Sequence, residues 1–149
     1  MLADKLAQIP SDNYDQRYEI MIKAIRGFES LTKECAEANQ YKELFQIAPL
    51  ITGADTQEYL GKINGLAMMK WPQRYLSALK SADETEIDSV VNVLGIAPPL
   101  WEIAEIVFPY LDKEDFKPMM DKYFRKWVLE CTYPDGKAKV QCNWSGKEP

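Results

Sequence analysis

Between Asp15 and about Asn39 the apolar residues Tyr18, Met21, Ile22, Ile25, Phe28, Leu31, Cys35 and Ala38 recur at steps of three or four. That spacing puts them on one face of a helix and leaves Glu19, Lys23, Arg26, Glu29, Lys33 and Glu37 on a solvated face. The same period returns along most of the chain, so its apolar faces bury best as helix packed on helix.

Punctuation sets the expected helix boundaries. Residues 1–14 read as a weak lead-in, with Pro10-Ser11-Asp12-Asn13 as a loop. A second helix is expected from Tyr41 to about Ile51, which Pro49 ends early or kinks. Thr52-Gly53-Ala54-Asp55 is a stop and a cap before a third helix, Thr56 to Lys70. Pro72 suits the first position of a fourth, which runs to Lys80. Acids at Asp83, Glu84 and Glu86 favour the start of a fifth, which Gly95 ends. Pro98-Pro99 opens a sixth, to about Leu111, and Asp112 caps a seventh, to about Glu130.

The result is an all-α chain of about seven helices with short connections, and 149 residues suggest a single domain. Two architectures fit. The tags Ala48-Pro49-Leu50 and Phe108-Pro109-Tyr110-Leu111 near helix ends resemble a short HEAT-like array of helical pairs. A compact bundle is the alternative. The sixth helix is apolar nearly all round, which predicts a central place for it with Trp101, Ile103, Val107 and Phe108 in the core. Gly61 and Gly65 share one face of the third helix. Each costs about 1 kcal/mol of helix propensity against Ala, so they are expected where an internal neighbour comes close.

The three cysteines are Cys35, Cys131 and Cys142. Cys131 and Cys142 bracket Pro134-Asp135-Gly136, a turn in which Pro presets φ and Gly accepts positive φ. Thr132, Tyr133 and Val140 suit strands. The expectation is a C-terminal β-hairpin over 131–142, closed by a Cys131–Cys142 disulfide, with Cys35 left over. A three-residue loop would set Cys131 opposite Lys139, so the bridge needs a longer loop, a bulge, or Cys131 still on the preceding helix. The pair argues for an oxidising compartment, periplasmic or secreted. Met1 to Lys5 carries no basic-then-apolar signal, which leaves either a removed leader or a cytoplasmic chain with reduced cysteines.

Composition excludes several functions. There is no histidine, which removes imidazole bases and the usual zinc sites, and no metal or cofactor is expected. A net charge of -5 argues against nucleic acid as a partner. The longest nearly apolar stretch, Ile96 to Leu111, is broken by prolines and glutamates, so no membrane insertion is expected. Asn143-Trp144-Ser145 fits a glycosylation sequon.

Charge layout is the most informative feature. From Ala82 to Asp115 stand Asp83, Glu84, Glu86, Asp88, Glu102, Glu105, Asp112, Glu114 and Asp115 against one base, Lys113. Helix-start electrostatics accounts for part of this asymmetry, and the rest predicts an acidic surface that steers a basic partner. The partner-contacting residues are then Asp83, Glu84, Glu86, Asp88, Asp112, Glu114 and Asp115, with Tyr133 and Trp144 as aromatic anchors. Glu102 and Glu105, three apart beside Trp101, form the only pair that suggests hydrolase chemistry, and a solvated helix stripe explains them more simply.

Three functions are weighed. The first is a non-catalytic protein-binding domain of the bacterial-type cell envelope, of the inhibitor or toxin-neutralising (immunity) kind. The second is a cytoplasmic helical adaptor, and the third a hydrolase using Glu102 and Glu105. The cysteine reading has a direct check. Intact mass after alkylation should show one labelled thiol in the native protein and three after reduction. Three labelled thiols without reductant would remove the envelope assignment.

Overall fold

The computed structural model describes residues 2–8, 13–34, 37–142 and 144. Cys35 and the sequon residues Asn143 and Ser145 lie outside the described residues. The chain is all-α, as the period implies. Its helices are α1 (Leu2–Gln8), α2 (Tyr14–Arg26), α3 (Ala38–Ile47), α4 (Ala54–Lys70), α5 (Pro72–Leu79), α6 (Glu84–Val93) and α7 (Leu100–Val107). A last helical run, α8 (residues 117–130), has a π-helical stretch at Met120–Phe124 between two α-helical pieces.

The long first helix expected from periodicity is broken. Gly27 closes α2, and Glu29–Thr32 forms a 3₁₀ turn that packs on α4. Phe28 and Leu31, three apart, are buried by this tighter turn. Asn13 caps α2 by accepting from the Gln16 N–H. Pro49 does end α3 early: the chain passes into a 3₁₀ turn at Ala48–Leu50. The lead-in holds α1, whose Leu6 is fully buried. Arg17 anchors it by donating to the carbonyls of Leu6 (3.2 Å) and Leu50 (3.0 Å).

The central helix is α4, not the apolar stretch at 100–107. It touches α2, the 3₁₀ turn at 29–32, α5, α6 and α7, the arrangement of a helical bundle. Leu60, Gly61, Ile63, Asn64, Gly65, Ala67 and Met68 are all buried, while Asp55, Glu58 and Lys62 form its outer stripe. A Cβ on Gly61 would stand 1.9 Å from the Val93 carbonyl oxygen, and one on Gly65 would stand 2.8 Å from Pro98 Cδ. The two glycines thus admit the end of α6 and the loop after it, where the Ala97–Pro98 bond is cis. In that loop Gly95 takes φ +107°, a conformation that L side chains disfavour.

The buried amide of Asn64 is satisfied within the core. Its Nδ2 donates to the Leu60 carbonyl (2.9 Å) and its Oδ1 accepts from the Tyr75 hydroxyl (2.6 Å). The Tyr75 ring meets Tyr41 and Phe45 edge-on, with centroids 5.9 and 5.2 Å away. This cluster ties α3, α4 and α5 together.

Trp101 and Phe108 are half-buried, whereas Ile103 and Val107 are fully covered. The large buried tryptophan is Trp127, whose Nε1 donates to the Tyr123 carbonyl (2.9 Å) beside the π-helical stretch. The start expected at Asp112 is also displaced. Asp112, Glu114 and Asp115 sit in a turn, and the helix begins at Lys117, where Pro118 fits the first turn.

The expected β-hairpin is not formed: no strand is present among the described residues. Residues 131–142 make a loop with one antiparallel bridge, Thr132 to Ala138. The ladder stops there for two reasons. Cys131 is still the cap of α8, donating to the Trp127 carbonyl (3.0 Å), while its own carbonyl accepts from Lys139 (2.8 Å). Gln141 then takes φ +70°, and Cys142 comes back to bond Cys131, Cα atoms 5.2 Å apart. The Cys131–Lys139 pairing is the register a three-residue loop demands.

The close approach at Gly61 has a measurable consequence. Gly61→Ala gains about 1 kcal/mol of helix propensity but drives a methyl into backbone. Clash wins, and a net loss of about 1–3 kcal/mol is expected in urea unfolding. Lys62→Ala, on the exposed stripe, should stay within about 0.5 kcal/mol. A neutral Gly61→Ala would mean that α6 does not rest on α4.

Candidate functional site

The acids of the 82–115 segment have distinct fates. Asp83 caps α6 through Oδ1, which accepts from the Glu86 N–H (2.8 Å), and Glu86 Oε1 accepts from the Asp83 N–H (3.4 Å). This reciprocal box commits both carboxylates to the helix start. Glu84 and Asp88 remain exposed. Glu84 meets Lys122 at 2.5 Å.

Asp112, from the turn before α8, accepts from Arg125 Nη2 (2.8 Å), and Arg125 Nε donates to Asp121 (2.6 Å). Arg125 also donates to the Leu111 carbonyl (2.7 Å). Lys117 adds a second cation beside Asp121 at 3.4 Å. Two acidic groups far apart in sequence thus reach α8 about one turn apart, Glu84 at Lys122 and Asp112 at Arg125. Glu114 and Asp115 are exposed in the preceding turn. Here the bases of α8 compensate part of the acidity that the sequence shows as one block.

Titration follows from these contacts. The Arg125 guanidinium holds the Asp121 carboxyl below the usual aspartate range, and Glu84 holds the Lys122 ammonium above the usual lysine value. Partial burial of the Glu86 carboxyl raises its pKa above the usual glutamate value.

Of the two expected aromatic anchors, Tyr133 is presented to solvent and Trp144 is half-buried against the core. Lys139 lies over the Tyr133 ring at 5.8 Å. Leu129 and Val140 are exposed as well. Gly136, at φ +84°, rests against Phe108, which seats the loop on the end of α7. Glu102 is half-buried and Glu105 exposed on the outer stripe of α7.

A feature that sequence reading missed is a half-open cleft of about 630 Å³ between α3 and α5. Its walls are small: Ala38 on α3, Ser77 and Ala78 on α5, and Ser81 and Ala82 beyond it. Tyr41 and Phe45 of the core cluster close it beneath. Lys42, Arg74 and Glu86 bring charge to it. The signal was the run of small residues at 77, 78, 81 and 82, which reads as ordinary helix until Ala38 is placed opposite.

Among the described residues no group of three or more Cys, Asp or Glu could hold a metal ion, and no helix is long and apolar enough to cross a membrane. No protein-family model, curated protein or solved structure matches the chain.

The Arg125–Asp121 contact is open to NMR. Asp121 should titrate below the ordinary aspartate value. Its contribution to stability is present above that ordinary value and fades as pH falls through the lowered one. Arg125→Ala should move the titration up, with Lys117 retaining part of the lowering. An unmoved Asp121 would remove the contact.

Proposed function

We propose that the protein is a non-catalytic protein-binding domain that meets a basic partner through the acidic corner formed by the α6 start and the turn before α8. The observation that carries this reading is the convergence on α8. Glu84 pairs with Lys122 and Asp112 with Arg125, so carboxylates 28 residues apart border one helix. The side chains of Glu84 and Asp112 remain 81% and 83% exposed despite their partners. Ion pairs this exposed contribute little to stability and are readily exchanged for a partner's cation, while the exposed Asp88, Glu114 and Asp115 supply the field that an incoming charge meets.

The setting in this reading is the cell envelope, where an inhibitor or immunity protein neutralises a basic target. The Cys131–Cys142 bridge, which ties a loop to the end of α8, suits an oxidising compartment. Tyr133 on that loop is a second, apolar contact.

Photo-crosslinking from Asp88 in cells identifies the partner, and kinetics then test the mechanism. Reversing Glu84, Asp88 and Asp112 to Lys should slow association about tenfold or more at low salt, with the difference shrinking as salt screens the field. A cytoplasmic adaptor that binds through apolar contacts would show an unchanged on-rate at both salt concentrations, and that result would overturn the acidic corner.

A further inference from the structure

We propose that the Cys131–Cys142 bridge is a redox-sensitive strap: its reduction releases the chain from Val140 onward and leaves the loop before it in place. The two halves of residues 131–142 are held by different means. Up to Lys139 the loop is fastened by hydrogen bonds that do not involve sulfur. The Thr132 hydroxyl donates to the Val128 carbonyl (2.8 Å), the Tyr133 N–H to the Lys137 carbonyl (2.9 Å), the Gly136 N–H to the Tyr133 carbonyl (2.8 Å) and the Lys139 N–H to the Cys131 carbonyl (2.8 Å). Gly136 is buried against the Phe108 ring, where a Cβ would stand 2.5 Å from Cδ1, so the turn is also seated on the end of α7.

From Val140 the means change. Val140 and Gln141 are exposed, Gln141 at φ +70°, and among the described residues no hydrogen bond joins 140–142 or 144 to the helices. Two ties remain: the bridge, and the packing of the half-buried Trp144 against the core. Ordering the backbone from Val140 to Trp144 costs more conformational entropy than one half-buried indole returns, so the bridge decides whether this segment lies on the body.

Access sets how the bridge opens. Cys131 is fully buried and Cys142 half-buried, so an attacking thiolate reaches the Cys142 sulfur. The thiolate bonds to Cys142 Sγ as the S–S bond breaks, and Cys131 Sγ leaves with the electron pair and takes a proton. A second thiolate attacks the incoming sulfur of that mixed disulfide, and Cys142 leaves and is protonated. Two thiols are oxidised to one disulfide as the bridge is reduced to two thiols, so glutathione or a dithiol oxidoreductase supplies the electrons. The strap does not draw on the acidic corner, and Tyr133 lies on the side that stays fixed, so either reading can fail without the other.

The experiment compares backbone amide relaxation of the intact protein before and after reduction with dithiothreitol. Order parameters of Val140, Gln141, Cys142 and Trp144 should lie near the rigid value of about 0.85 with the bridge closed and fall below about 0.6 once it opens, while Tyr133 to Lys139 keep the values of the helices. Cys142→Ser should give the opened pattern without reductant. A brief exposure of the bridged protein to glutathione, quenched in acid and mapped by mass spectrometry, should place the first glutathione on Cys142. Order parameters that do not change on reduction would overturn the proposal. So would loosening that spreads to Tyr133–Lys139, or loss of α8, in the reduced protein and in Cys142→Ser, because the bridge would then staple the whole loop. Glutathione found first on Cys131, or a bridge that reacts only after the protein is unfolded, would overturn it as well.

Discussion

The fold depends on the close approach of the α6 end and the following loop to one face of α4. Gly61 and Gly65 remove the side chains that would hold that backbone away. Between them Asn64 fills the same face with an amide that needs partners, and the Leu60 carbonyl and the Tyr75 hydroxyl supply them. An unpaired amide there would cost about 1–3 kcal/mol, so the bond to Tyr75 specifies where α5 lies. With α5 fixed, Tyr75 meets Tyr41 and Phe45, and α3 takes its place. The α3–α5 cleft is a consequence of the same arrangement.

Charge is distributed more evenly in space than along the chain. The 82–115 segment is acidic and the residues after it are basic, yet α8 carries its bases to Glu84 and Asp112. What remains acidic after this pairing is narrower than the sequence block: Asp88, Glu114 and Asp115 are exposed, and Glu84 and Asp112 are paired but open to water. Asp83 and Glu86 serve the start of α6. The proposed partner surface rests on the first group, and the cleft borrows Glu86 from the second.

Local signals were legible in the sequence and global ones were not. Pro72 and the acids around Asp83 mark the starts of α5 and α6, because first-turn chemistry depends only on neighbours. The glycine pair announced a close approach, and the cysteine pair a bridge. Apolar content misled where burial depends on the neighbour present. Trp101, on the more apolar helix, stays half-buried, while Trp127, flanked by Lys126 and Val128, is enclosed. The hairpin failed because strand propensity in Thr132, Tyr133 and Val140 met a helix cap on one side and a reversal at Gln141 on the other. The cleft was invisible because Ala38 and Ala82 lie far apart in sequence and are unremarkable singly.

Native-state hydrogen exchange tests most directly whether α4 organises the bundle. Amides of Leu60 to Met68 should be the last to open, exchanging only through global unfolding, while those of α7 and the 131–142 loop should open at lower free energy. If α7 were protected to the global limit and α4 opened before it, the apolar helix at 100–107 would be the true centre and the account given for Gly61, Asn64 and Gly65 would be wrong.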